Sequence, residues 1–210
     1  GVTYEKGESQ TFWGQLFEVF GVDRRRVGAL FEYATKKIGG NHGFIDLFWK
    51  GRLLVAPTDG GMTTQLPLSR GAWCSVSPDG KKLAYNRVFR EFRTWKRYRG
   101  GQADDIWVYD FESGQSENIT QNPAQDIFPM WYGDKIYFVS DRDEIKRMNL
   151  YSYDTGTKET RKHTDFVEYD VKYPSLCERT IAFENGGFIY KMNLDVENPV
   201  AEKITIRIAE

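Results

Sequence analysis

Cysteine and histidine are almost missing from this chain, with two of each in 210 residues. Cys74 and Cys177 lie far apart in strand-like patterns. A disulfide-stapled scaffold is therefore not expected, and both are read as buried free thiols. With so few soft ligands and no close spacing among them, neither a structural zinc site nor any other cofactor site is expected. A long apolar run is also absent, so nothing reads as a membrane-crossing helix. The opening GVTYEKGESQ has no apolar signal core, which makes a cytoplasmic protein the expectation. An excess of charge of either sign is missing too: 29 basic against 30 acidic residues give a formal net charge of −1. No global field draws the chain to nucleic acid or an anionic membrane.

What the chain does have is aromatic residues, at 15%, and glycine, at 20 residues. That mixture suits sheets with many turns. The first forty residues read differently. Phe12, Leu16, Val19 and Phe20 recur at helical spacing, with Ser9 as a cap and Gly21 as a stop. A second helix is predicted from about Asp23 to about Ile38, carried by Val27, Leu30, Phe31, Ala34 and Ile38. FIDLFW, Lys50-Gly51 and RLLVA then read as a β-hairpin.

Beyond residue 52 a unit recurs with a period of roughly 40 to 50 residues, the signature of propeller blades. The first unit contains GAWCSVSPDGKKLAYN, DIWVYDF and SENIT. Its Ser77-Pro78-Asp79-Gly80 is a tight turn, with proline presetting φ and glycine accepting a positive one. The second runs DIFPMWY, IYFVSD, NLYSYD and ETRKHT; the third VEYDVKYPS, TIAFEN, GFIYKMNL and AEKITIRI. Asp110, Asp154 and Asn193 close the third strand of each unit. RLLVAPTDGGMTTQLPL reads as the last two strands of a further blade. The expected fold is mainly β: a partial β-propeller of about three four-stranded blades plus half a blade, preceded by a short helix–helix–hairpin segment. The expected domains are 1–51 and 52–210.

GAWCSVSPDGKKLAYNRVFREFRTWKRYRGGQADDIWVYDF, NITQNPAQDIFPMWYGDKIYFVSDRD and RMNLYSYD closely resemble the N-terminal β-propeller of tricorn-type proteases. That resemblance starts near residue 52. In such enzymes the Ser/His chemistry lies in a separate, C-terminal domain, so the resemblance implies a non-catalytic gate, scaffold or channel wall. Residues 4–55 resemble a different family, the start of restriction-modification enzymes that join a PD-(D/E)xK nuclease to a DNA methyltransferase. There Asp46, in FIDLFW, matches the first metal ligand, but the Glu and Lys positions hold Ala56 and Thr58. One carboxylate is a poor Mg²⁺ site, so Asp46 is read as an orphan and no metal is expected. On these two resemblances the chain reads as a chimera joined between about Lys50 and Ala56.

No catalytic residue is expected. His42 sits in a glycine-rich stretch, His163 on a strand, and no serine has a GxSxG setting. The candidate contact is the insertion REFRTWKRYRGG, where Arg90, Arg93, Lys96 and Arg97 interleave with aromatics including Trp95. Three readings stand: aromatics pinning the insertion to its blade, arginines holding peptide carboxylates, and stacking on single-stranded nucleic acid. The expected function is a propeller module that contacts peptide or a neighbouring protease domain. The alternatives are a DNA-directed nuclease remnant and a fusion with no function of its own. Open blade edges lead to an expected homo-oligomer. Neither nucleic acid nor a membrane is an expected partner.

Overall fold

The computed structural model describes residues 29–36, 42–49, 54–55, 64–88 and 103–206. Two compact units divide the chain, residues 1–72 and 73–210. In the first, β1 (Ala29–Lys36) pairs antiparallel with β2 (His42–Trp49), and β3 (Leu54–Val55) with β4 (Thr64–Gln65). This corrects two expectations. The helix predicted across 23–38 is a strand over 29–36, and FIDLFW pairs with β1 rather than with residues after Gly51. ALFEYATK fits a strand as well as a helix, because Phe31, Tyr33 and Thr35 alternate along it. Pairing then decides, setting Phe31 against Leu47 and Tyr33 against Ile45. His42 is accordingly the first residue of a strand. The helix predicted over 9–21 lies outside the described residues. The half-blade expected after residue 52 is the β3–β4 pair.

The second unit contains three four-stranded antiparallel sheets in chain order. The first is β5 (Cys74–Val76), β6 (Lys82–Asn86), β7 (Ile106–Asp110) and β8 (Ser116–Asn118). The second is β9 (Asp126–Tyr132), β10 (Lys135–Ser140), β11 (Asn149–Asp154) and β12 (Thr160–Lys162). The third is β13 (Lys172–Cys177), β14 (Thr180–Asn185), β15 (Phe188–Asn193) and β16 (Glu202–Lys203). This is the blade pattern that the repeats predict.

Side-chain hydrogen bonds at the turns explain the repeats. Asp110 Oδ1 accepts from the Glu112 and Ser113 amides, and Asp154 Oδ1 from those of Gly156 and Thr157. Asn193 Oδ1 accepts from the Asp195 amide. An Asx side chain closes each turn, the role that favours Asp and Asn there. In SPDG the Ser77 hydroxyl donates to Asp79 and accepts from the Lys82 amide, while Gly80 takes φ 73°.

Packing between sheets forms the core. Ala84 and Ile106 of the first sheet meet Ile136, Phe138, Tyr151 and Tyr153 of the second. Tyr137, Val139 and Leu150, on the second sheet's other face, meet Ile181, Phe183 and Met192 of the third. Both faces of β10 are thus covered, which is why IYFV is an unbroken apolar run. β14 instead alternates, with Ile181 and Phe183 buried and Ala182 and Glu184 partly open. On that outer face the Ile204 amide donates to the Ile189 carbonyl, as the Ile119 amide does to Ile106 in the first sheet. Ile106 is covered by the next sheet, whereas Ile189 and Ile204 are exposed.

Both cysteines are free; Cys177 is exposed, which corrects the expectation of burial there, whereas Cys74 has surface-accessible atoms but burial pushes its thiol up to about 11. Cys177 sits beside Leu176, whose partner Ile181 is in the core, and the pleat sends neighbouring side chains to opposite faces.

Candidate interaction surface at the strand ends

Connections between second and third strands cluster at one end of the sheets, and the long insertion after β6 is one of them. Arg90, Arg93, Trp95, Lys96 and Arg97 lie outside the described residues; the base of the insertion does not. Asn86, fully buried, donates from Nδ2 to the carbonyls of Asp105 and Asp126, each at 2.9 Å. Its Oδ1 accepts from the Phe128 amide at 3.1 Å. One side chain thereby ties the insertion's exit to the inner strand of the next sheet. At the entry, the Arg87 guanidinium lies 3.3 Å from the centroid of the Trp107 ring, a cation–π contact.

Beneath this end is a buried ion pair. Asp126 is inaccessible, and its Oδ1 accepts from Arg142 Nη2 at 2.9 Å. Oδ2 accepts from Asn122 at 2.9 Å. Arg142 also donates from Nε to the Ser140 hydroxyl and lies over the Phe138 and Tyr151 rings. Close by, burial raises the Asp105 carboxyl above its usual range, against the pull of its bonds to Asn118 and Thr120. Sequence reasoning missed Asn86, Asp126 and Arg142. The one local signal is a polar residue ending or opening an apolar strand.

The opposite end carries a cleft of about 380 Å³ between the first two sheets. Val108, Ile119, Trp131 and Tyr153 form its apolar walls, with Glu117 and Lys158 among its charged residues. No three His, Cys, Asp or Glu side chains converge as a metal site would require among the described residues. Asp46 lies on β2, between Ile45 and Leu47, which pair with β1.

His163 follows β12 and accepts or donates at Nε2 with the Ser152 hydroxyl, 2.8 Å away. Burial, with Arg161 and Lys135 nearby, pushes its imidazole down from 6.5 to about 4. The folded state thus favours the neutral ring. Its stabilising effect is complete above pH 6.5 and is lost as pH falls from there toward 4. Because the ring is only partly shielded, the expected loss is about 1–2 kcal/mol. Urea midpoints measured across that window should fall in the wild type and fall less in His163→Gln.

The sequence pattern of the tricorn protease N-terminal β-propeller domain matches residues 47–198. The chain belongs to this family. It is 36% identical over 142 residues to the tricorn protease of Thermoplasma acidophilum, covering 67% of this chain and 13% of that protein. It is 29% identical over 130 residues to the tricorn protease homolog of Saccharolobus solfataricus, covering 62% and 12%. The chain therefore spans about an eighth of these relatives' length. Among solved structures, the β-propeller domain of the Trilobed protease from Pyrococcus furiosus matches with TM-score 0.51 at 16% identity. That match covers 85% of this chain and 59% of the other, and it shows the fold. The tricorn match begins at residue 47, inside FIDLFW and upstream of the expected junction.

Proposed function

We propose that this chain is a non-catalytic propeller module of a tricorn-like protease that contacts peptides and a neighbouring domain. The observation that carries the reading is the family match itself, which covers the propeller and a small fraction of the relatives' length. The peptide contact is assigned to the insertion, whose Arg90, Arg93, Lys96 and Arg97 would hold carboxylates and whose Trp95 is the aromatic among them. Two features support it: Asn86 fixes the insertion's exit, and the Arg87 guanidinium lies over the Trp107 ring at its entry. The neighbouring domain is assigned to the outer face of the third sheet, where Ile189 and Ile204 repeat the covered positions of Ile106 and Ile119. A second copy is the other occupant of that face, and a clean monomer in light scattering at high concentration removes it.

The test replaces Arg93, Lys96 and Arg97 together by Ala. The expected result is an unchanged melting temperature with affinity for an acidic peptide reduced about tenfold or more, in line with several lost charge-assisted bonds. Unchanged affinity would contradict the contact. Loss of folding would mean that the insertion is a structural pin.

A further inference from the structure

The seams on the two sides of the second sheet are built alike but closed differently. Their residues correspond one to one. Glu117 pairs with Val108 as Arg161 pairs with Ser152, and Asp134 precedes β10 as Arg179 precedes β14. At the seam between the second and third sheets both positions are therefore arginines. Residues that follow β15 meet them. Arg161 Nη2 donates to Asn198 Oδ1 at 3.0 Å, Arg179 Nη1 donates to Asp195 Oδ2 at 3.3 Å, and the Tyr132 hydroxyl donates to Asp195 Oδ1. Donors on the sheets find acceptors on one loop.

At the seam between the first and second sheets the same two positions are carboxylates, Glu117 and Asp134, and both line the cleft of about 380 Å³. The turn at residues 155–158 takes the place of the Asp195–Asn198 loop here, and its bonds stay within its own sheet. Thr155 donates to the Asp134 carbonyl, and the Gly156 and Thr157 amides donate to Asp154. Lys82 and Lys158 line the cleft too, but Lys82 Nζ lies 3.9 Å from Asp110, and Lys158 Nζ lies 5.9 Å from the Tyr153 ring centroid. Among the described residues neither Glu117 nor Asp134 has a basic partner. Between them the walls are aromatic, with Trp131 and Tyr153. Tyr153 is only 6% exposed, yet its hydroxyl has no hydrogen-bond partner among the described residues. The cleft thus offers acceptors and ring faces where the other seam offers donors.

We infer that this cleft binds the guanidinium of an arginine side chain carried by a peptide, with Glu117 and Asp134 accepting its N–H groups beside the Trp131 and Tyr153 rings. The site lies at the opposite end from the basic insertion and takes the opposite charge, so it does not depend on the insertion contact. A guanidinium suits it better than an ammonium. It is planar, weakly hydrated, bonds carboxylates through two N–H groups and packs on aromatic faces. The protein makes such contacts internally. Arg87 lies 3.3 Å from the Trp107 centroid, and Arg142 joins the Asp126 carboxylate while lying over Phe138 and Tyr151. The volume, about 380 Å³, is at the small end of ligand pockets, which run from roughly 300 to 1,000 Å³. That is room for one long side chain, not for a folded segment.

The test is fluorescence anisotropy with the whole chain and two labelled peptides of one sequence, with arginine or citrulline at the central position. Citrulline keeps the shape of arginine and lacks its charge. The wild type should bind the arginine peptide about tenfold more tightly. Glu117→Gln and Asp134→Asn, both at exposed positions, should each cut that preference about threefold or more, with urea midpoints unchanged. Lys158→Ala should strengthen binding, because it removes a like charge. Replacing Arg93, Lys96 and Arg97 by Ala should leave it unchanged, so the cleft and the insertion contact fail separately. Equal binding of the two peptides by the wild type overturns the assignment. So does a preference for arginine that survives Glu117→Gln and Asp134→Asn together. Binding seen only in Lys158→Ala would mean that the chain's own lysine fills the cleft, and overturns it too. The wild-type comparison needs no variant to fold.

Discussion

Asp126→Ala should cost about 3–5 kcal/mol of stability, the penalty for leaving one member of a buried ion pair without its partner. Asp126 is fully inaccessible and is held by Arg142 at 2.9 Å and Asn122 at 2.9 Å. Removing it leaves the Arg142 guanidinium facing the Phe138 and Tyr151 rings with no carboxylate, in a place water reaches poorly. Asp126→Asn keeps the shape and one carbonyl oxygen, which can accept from Arg142 or from Asn122 but not from both, so its cost should be smaller than that of Ala without vanishing. Urea unfolding followed by tryptophan fluorescence measures both. A loss below 1 kcal/mol for Asp126→Ala would show that water or another side chain solvates Arg142.

The second large effect is expected at Phe138. Its side chain is wholly buried at the seam where Ala84 and Ile106 of the first sheet meet the second. It also lies 6.2 Å from the Tyr151 ring in a stacked arrangement. Phe138→Ala removes that apolar surface and leaves a cavity, which costs about 3–5 kcal/mol. Because the residue bridges two sheets, amide protection in β6 and β7 should fall along with that in β10. Val200→Ala, at an exposed site, should change stability by no more than about 0.5 kcal/mol. If protection falls in β10 alone, the two sheets do not share one core.

Much of the three-sheet arrangement was legible in the sequence because its turns are made locally. Asp110, Asp154 and Asn193 bond to amides two or three residues on, so their spacing reports the blades directly. The strand at 29–36 was not legible, since Leu30, Phe31 and Ala34 satisfy helical spacing while Phe31, Tyr33 and Thr35 satisfy the strand period. Only the pairing with β2 separates them. The exposure of Cys177 was hidden for a related reason: which face of an inner strand is covered depends on neighbouring sheets. The Asn86 clamp is longer in range still. It joins residues 40 and 42 positions apart, and no spacing rule reaches that far. Glu117 and Asp134 likewise come to line one cleft only through the fold.

The central proposal is that this propeller contacts peptide without cleaving it. One titration tests that directly: a labelled acidic peptide bound to the whole chain, with the same samples read by mass spectrometry after overnight incubation. The account predicts saturable binding and an intact peptide. Cleavage that co-purifies with the chain, or no binding at any accessible concentration, would contradict it.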